Sequence, residues 1–217
     1  MARLFFIGTA LCLLGTSLAE ESIQPRSLGA EWLYTSTLVE KDGALVPDGL
    51  CQEKVVEIGQ MEGHTIFRIR VREWRLQESA AGFADVLASE HDEEYHFWEY
   101  MTDQGSYHFE EDEENPTSPS ALSDFGLSMP YPTEVGHTYK VEEDAYEVLT
   151  IDREVTVAAG TYETVVYQLT FDDEGEPQRE RYFQAPGHGL VQWELDQWED
   201  GQWRLAYRDE LVSYSEH

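Results

Sequence analysis

The chain has 217 residues, 44 of them acidic against 14 basic, for a net charge of −30. That balance excludes nucleic acid and anionic lipid as partners, because a surface of the same sign repels them. With two cysteines, Cys12 and Cys51, the first of them in a segment read below as a cleaved leader, a disulfide-stapled scaffold is excluded as well.

Arg3 precedes an apolar run from Leu4 to Leu14, and Ser17 and Ala19 place small residues ahead of a cut after Ala19. This is the pattern of a secretory signal peptide over residues 1–19. The run is shorter than the ~20 apolar residues of a membrane span, and Thr9-Ala10-Leu11 before Cys12 does not form a lipidation box. The expectation is an exported product, periplasmic or extracellular, with a single β domain over 20–217 and no stable membrane insertion after cleavage. Loss of Arg3 takes the net charge from −30 to −31.

Strand signals fill the rest. Glu31 to Val39 is rich in Trp, Tyr, Thr, Leu and Val, and a turn follows at Lys41-Asp42-Gly43-Ala44. Cys51 sits in the strand-like run Leu50 to Val56 with no local base to activate it. From His64 to Leu76 the chain alternates, Phe67, Ile69 and Val71 on one side and Arg68, Arg70 and Arg72 on the other. The arginine row reads as cross-strand pairing with acidic neighbours rather than an anion clamp. Ser79 to Leu87 carries the one hint of a helical turn.

Glu93–Met101 and Ser106–Glu110 flank the hairpin signal Asp103-Gln104-Gly105. Tyr95-His96-Phe97-Trp98 has large residues on both faces, which predicts cover on both sides. Residues 110–124 form an acidic, then Pro- and Ser-rich loop. Leu127 to Pro132 continues it in extended form, because each proline biases its neighbour away from helix. The last third is the most regular, with strands predicted at Tyr146–Val157, Thr161–Phe171, Glu180–Gln184, Leu190–Trp198 and Trp203–Tyr214. The fold class is therefore mainly β: one strongly curved antiparallel meander of about ten strands, a half-barrel or open barrel, with at most one or two short helices.

No residue is nominated as catalytic and no cofactor is expected, since no nucleophile elbow, phosphate-cradling loop or nucleotide fingerprint is present. His96 and His108, with Glu90 to Glu94 nearby, are the candidates for a metal site, because pairing of the hairpin strands could bring the two rings together. The runs Glu110 to Glu114 and Asp172 to Glu176 lack the ligand spacing of an EF-hand and suit weak cation binding or solvated turns. Of the six tryptophans, Trp74 and Trp198 fall off the apolar faces of their strands, where an aromatic ring could take carbohydrate or an apolar ligand.

Two segments carry a resemblance. Val155-Thr156-Val157-Ala158-Ala159-Gly160-Thr161-Tyr162 and Arg181-Tyr182-Phe183-Gln184-Ala185-Pro186-Gly187-His188-Gly189-Leu190-Val191 resemble a signature of uncharacterised exported bacterial β-rich proteins, similar in architecture to half-barrel lipoprotein carriers. Pro130 to Tyr139 resembles the stretch that precedes it. The likeness covers residues 125–214 and departs at Tyr139 and His188. It implies a curved-sheet fold and export, and it carries no catalytic residues.

The leading expectation is a non-enzymatic exported protein that holds an apolar small molecule or a partner segment on its concave face. The alternatives are a metal-assisted hydrolase built on His96 and His108, and a calcium-stabilised structural or adhesive protein. The acid-rich composition, with lysine only at positions 41, 54 and 140, resembles the surfaces of proteins from salty habitats, where cations screen self-repulsion. The melting temperature is accordingly expected to rise by several degrees between low salt and molar NaCl in a calorimetric scan; a midpoint unmoved by salt refutes the adaptation.

Overall fold

The computed structural model describes residues 26–40, 42–76, 86–87, 89–111, 117–131, 134–141, 144–173 and 175–216. The leader pattern expected over residues 1–19 and most of the 79–87 segment lie outside these, although Val86 and Leu87 are helical. The acidic runs at 110–114 and 172–176 are described in part.

Twelve strands form one antiparallel sheet. The first six are β1 Glu31–Val39, β2 Leu45–Met61, β3 His64–Arg75, β4 Glu93–Thr102, β5 Gly105–Glu110 and β6 Gly126–Pro130. The remainder are β7 Thr138–Val141, β8 Asp144–Val157, β9 Gly160–Asp173, β10 Glu176–Ala185, β11 Gly189–Glu199 and β12 Gln202–Ser215. The order is β6-β5-β4-β3-β2-β1-β12-β11-β10-β9-β8-β7. Each half of the chain is thus a meander of neighbours, and the pairing of β1 with β12 joins the two halves. A sheet this wide coils until its ends meet. Here β6 and β7 come together, Met129 packs with Val148 and Tyr167, and the Tyr167 hydroxyl donates to the Pro130 carbonyl at 3.3 Å. The result is a nearly closed barrel. Register shifts at Val55/Glu57 in β2 and twice in β8 between Val148 and Arg153 supply the bulges that bend long strands.

Alternation decides what faces the lumen. Trp32, Tyr34 and Ser36 of β1 point inward and are buried. Register then carries the inner face to Glu53 and Cys51 on β2, Val71 and Glu73 on β3, and Tyr95 on β4. Trp32 sits at the joint of the two halves. It is fully buried, its Nε1 donates to the His188 carbonyl at 2.9 Å, and its ring meets Tyr214 at 5.1 Å and the Arg26 guanidinium at 4.6 Å.

The outer side is covered locally. Trp98 and Ile66 pack with Tyr100 beneath Phe125 and Leu122 of the segment that holds a 3-10 turn, Leu122–Asp124. This is the two-sided cover expected for the Tyr95–Trp98 run. Trp74 is not a free aromatic platform; it is buried against Leu50 and Val86. Two of the arginine row pair with acids as expected: Arg72 meets Glu94, its cross-strand partner, at 2.5 Å, and Arg68 forms a two-pronged pair with Glu111 at 2.7 and 2.8 Å, whereas Arg70 stands opposite Lys54 and His96. Two differences from the sequence reading concern length and number. β2 runs 17 residues, beyond the Leu50–Val56 stretch. The four residues of β7 form an edge whose acidic and glycine-containing surroundings carry no strand signal.

Gly105 is fixed by backbone rather than by turn chemistry alone. At φ +155 it closes the β4–β5 hairpin, and a Cβ there would stand 2.5 Å from the Met129 carbonyl oxygen and 2.9 Å from Pro130 Cα. Gly63, at φ +87 in the β2–β3 turn, would meet nothing within 4 Å. Gly63→Ala is expected to cost about 1 kcal/mol from the left-handed backbone alone. Gly105→Ala is expected to cost at least about twice that, because β6 must move away. Urea denaturation of the two variants measures the difference; equal losses would show that β6 yields freely.

Candidate functional site

The inner wall of the barrel is not uniformly apolar. Trp32, Val55, Ile69, Val71 and Leu211 form its main cluster. On the same face, however, the pleat of β1, β2, β3, β4 and β12 also delivers Glu53, Glu73, Glu99 and Asp209. These acids divide between two cavities that share Glu53.

The first cavity, of about 180 Å³, is lined by Arg26, Glu53, Phe97, Glu99, His108 and Tyr182 among others. Glu99 is 3% exposed. It receives Arg26 Nη2 at 2.5 Å and lies 3.5 Å from His108 Nε2. Burial pushes the Glu99 carboxyl up, and the Arg26 and His108 groups overcome this and hold it below the usual carboxylate range. This end of the lumen is charge-compensated.

The second cavity, of about 330 Å³, is not. Ser36, Cys51, Glu53, Glu73, Tyr95, Tyr207 and Asp209 line its interior, and Asp48, Arg75, Asp92 and Glu93 its rim. Arg75, the cationic side chain on this wall, is 81% exposed and lies 3.9 Å from Glu93. Asp209 Oδ1 is shielded from solvent and has no hydrogen-bond partner. Burial, with Glu73 and Asp48 adding repulsion, raises Asp209 from an ordinary 3.8 to about 6, against the opposing Ser36 hydrogen bond. Burial raises Glu53 too, with Glu99 and Asp209 adding to it and Arg26 and His108 of the first cavity opposing. It raises Glu73 as well, with Glu93 adding to it. The Cys51 thiol is pushed well up by burial and by Glu53, Glu73 and Asp209, which leaves it a poor nucleophile. Tyr207 is pushed up to about 12, chiefly by burial. Every one of these shifts has the sign expected of uncompensated negative potential in a partly dry cavity.

His96 and His108 do not assemble. The β4–β5 hairpin forms, but His108 stands opposite Glu99 in the lumen, whereas His96 stands opposite Arg70 on the outer arginine row. An odd spacing from Glu99 to His96 along β4 puts the two rings on opposite faces. Burial, with Arg68 adding to it, lowers the His96 pKa. Among the described residues no group of three or more His, Cys, Asp or Glu side chains has the geometry to hold a metal ion. The acids that do converge, Glu53, Glu73 and Asp209, come from the β2–β3 hairpin and from β12 at the far end of the chain. For Glu53 and Asp209 the alternation of β2 and β12 was the signal, since each occupies a lumen-facing position between apolar residues, Cys51 and Val55 or Tyr207 and Leu211; Glu73, between Val71 and Arg75, carried no such signal.

Comparison with known proteins places the fold. No family model matches the sequence, and no curated protein matches it. Two solved structures are similar. One is described as an exported protein with a YmcC-like fold from Bacteroides fragilis, 13% identical, with a TM-score of 0.60 over 88% of this chain and 98% of that one. The other is described as a lipoprotein from Parabacteroides distasonis, 12% identical, with a TM-score of 0.54 over 90% of this chain and 99% of that one. At these identities the likeness is one of fold. No helix among the described residues is long and apolar enough to cross a membrane.

Asp209 gives the cavity a pH signature. Its native pKa of about 6 lies above the ordinary 3.8, so the native state binds its proton more tightly than the unfolded chain. The stability it allows is complete below pH 4 and is lost as pH rises through 6. The difference amounts to on the order of 3 kcal/mol at neutral pH. Asp209→Asn is therefore expected to be more stable than the parent by about 2–3 kcal/mol at pH 7.5, and by less than about 1 kcal/mol at pH 4. Urea titrations at the two pH values measure it, and a pH-independent difference excludes the assignment.

Proposed function

We propose that this chain is an exported, non-catalytic binding protein whose barrel lumen holds a small organic cation, an amine or quaternary ammonium group carrying apolar substituents. The observation that carries this reading is the 330 Å³ cavity in which Glu53, Glu73 and Asp209 converge beside Tyr95 and Tyr207, with Arg75 the one cation among the described residues that line it. A cation there offsets carboxylates that now repel one another, and the tyrosine faces attract it through their quadrupoles. Apolar substituents suit the Cys51 side chain and the Tyr95 and Tyr207 rings of the same lining. A wholly apolar occupant, the expectation from sequence, suits the cavity less, because covering ionisable oxygens with hydrocarbon removes their remaining hydration.

Export rests on the leader pattern of residues 1–19 and agrees with the descriptions of the two similar structures as an exported protein and a lipoprotein. The absence of a sequence nucleophile motif and the raised Cys51 thiol favour binding over catalysis.

Isothermal titration with tetramethylammonium and benzyltrimethylammonium, against tert-butyl alcohol as the uncharged control, tests the reading. The cations are expected to bind, the alcohol to give no heat, and the Glu53→Gln/Asp209→Asn double variant to lose at least tenfold in affinity. Equal binding by the variant, or no heat from either cation, would sink it.

A further inference from the structure

The barrel also presents an ordered polar surface outward. Along β11, Gln192, Glu194, Asp196 and Trp198 alternate to the side away from the lumen, and register sets Arg179, Arg181, Trp203 and Arg208 beside them. Trp198 is 44% exposed, and its ring meets Trp203 edge-on at 5.1 Å. Arg179 lies 4.8 Å over the Trp203 ring and donates twice to Asp196, at 2.6 and 2.8 Å. Arg181 bridges Glu194 and Asp196 at 2.7 and 3.0 Å. Arg208 donates twice to Glu194, and so does Gln192 once, at 2.8 Å. The two carboxylates are buried beneath guanidinium groups that keep an outward face. Farther along, the bent β8 lies beside this surface, and the turn that follows it is tied to β12 by the Ala159 N–H to Leu211 carbonyl bond. Between them runs a groove of about 600 Å³ lined by Thr150, Arg153, Gln192, Arg208 and Glu210 among others.

Three features define what fits. First, the strip is charge-balanced, Arg179, Arg181 and Arg208 against Glu194, Asp196 and Glu210, on a chain of net −30. An anion gains little from guanidiniums whose charge is already matched by buried carboxylates and is repelled by the surrounding field, and a cation finds the carboxylates already taken. Second, the planar groups are locked by two-pronged bonds, so their outward donors and acceptors are preorganised and cost little entropy to engage. Third, an exposed indole closes one end and offers an apolar face. From Trp198 to Gln192 the strip spans about 20 Å along the strand. A ligand that is uncharged, elongated, rich in hydroxyls and bounded by apolar C–H faces matches all three. We propose that the outer face of β10–β12, from Trp198 to the groove beside β8, binds an uncharged saccharide chain.

Affinity electrophoresis of the full mature protein tests this, in gels containing hydroxyethylcellulose, a mixed-linkage β-glucan or a galactomannan. Retardation is expected with at least one of them. Trp198→Ala is expected to weaken it at least tenfold, and Arg153→Ala, in the exposed part of the groove, about threefold, with melting temperatures unchanged in both. Asp209→Asn in the lumen should leave it untouched, which separates this surface from the cation cavity. No retardation by any of the three polymers overturns the proposal, as does retardation that survives both outer-face substitutions. Stronger retardation by polygalacturonate than by every neutral polymer also overturns it.

Discussion

The pairing of β1 with β12 is the constraint on which the molecule depends. It joins two meanders that otherwise consist of neighbours in sequence, and without it neither half has a partner for its innermost strand. The register from Glu31↔Ser215 to Leu38↔Tyr207 brings the start of the described chain against its end. Trp32 makes this joint specific. Its indole is buried between Arg26 and Tyr214 and holds the β10–β11 turn through the His188 carbonyl. Closure costs the loop entropy of almost the whole chain. The long antiparallel ladder and the core around Trp32, Tyr34 and Leu211 offset it.

Closure also creates the two electrostatic environments of the protein. Strands that alternate place one row of side chains in the lumen and the next row outside. On the outside, arginines find carboxylates across neighbouring strands, as in the Arg179–Asp196, Arg181–Glu194 and Arg208–Glu194 pairs. Inside, among the described residues, Glu99 is the acid paired in this way, by Arg26 and His108. Glu53, Glu73 and Asp209 face one another across a cavity, and the same acid-rich composition that keeps the surface hydrated becomes a local excess of negative potential. A solvated acid and a lumenal acid differ in the dielectric around them, and that difference decides which ones matter for binding.

Much of the fold was legible before the structure. The inward row Phe67, Ile69, Val71, the outward arginines, the Asp103-Gln104-Gly105 hairpin and the strands of the last third all follow from period-two alternation and turn chemistry. These are local properties that each few residues specify. The short β7 was not legible, because four residues between glycine and acids carry too little pattern. The histidines show the limit differently. The hairpin pairing was foreseen, yet whether His96 and His108 share a face depends on a register that a one-residue shift reverses.

By itself the sequence determined a mainly β chain of strong net negative charge, since composition and alternation act residue by residue. Tertiary structure alone decided that twelve strands close into a barrel, that Trp74 is covered while Trp198 stands exposed, and that Glu53, Glu73 and Asp209 meet in one cavity. Those facts rest on pairings between residues as much as 184 positions apart, Glu31 with Ser215 among them. A hydrophobic pattern fixes which face a side chain takes, but it does not name the strand across the lumen.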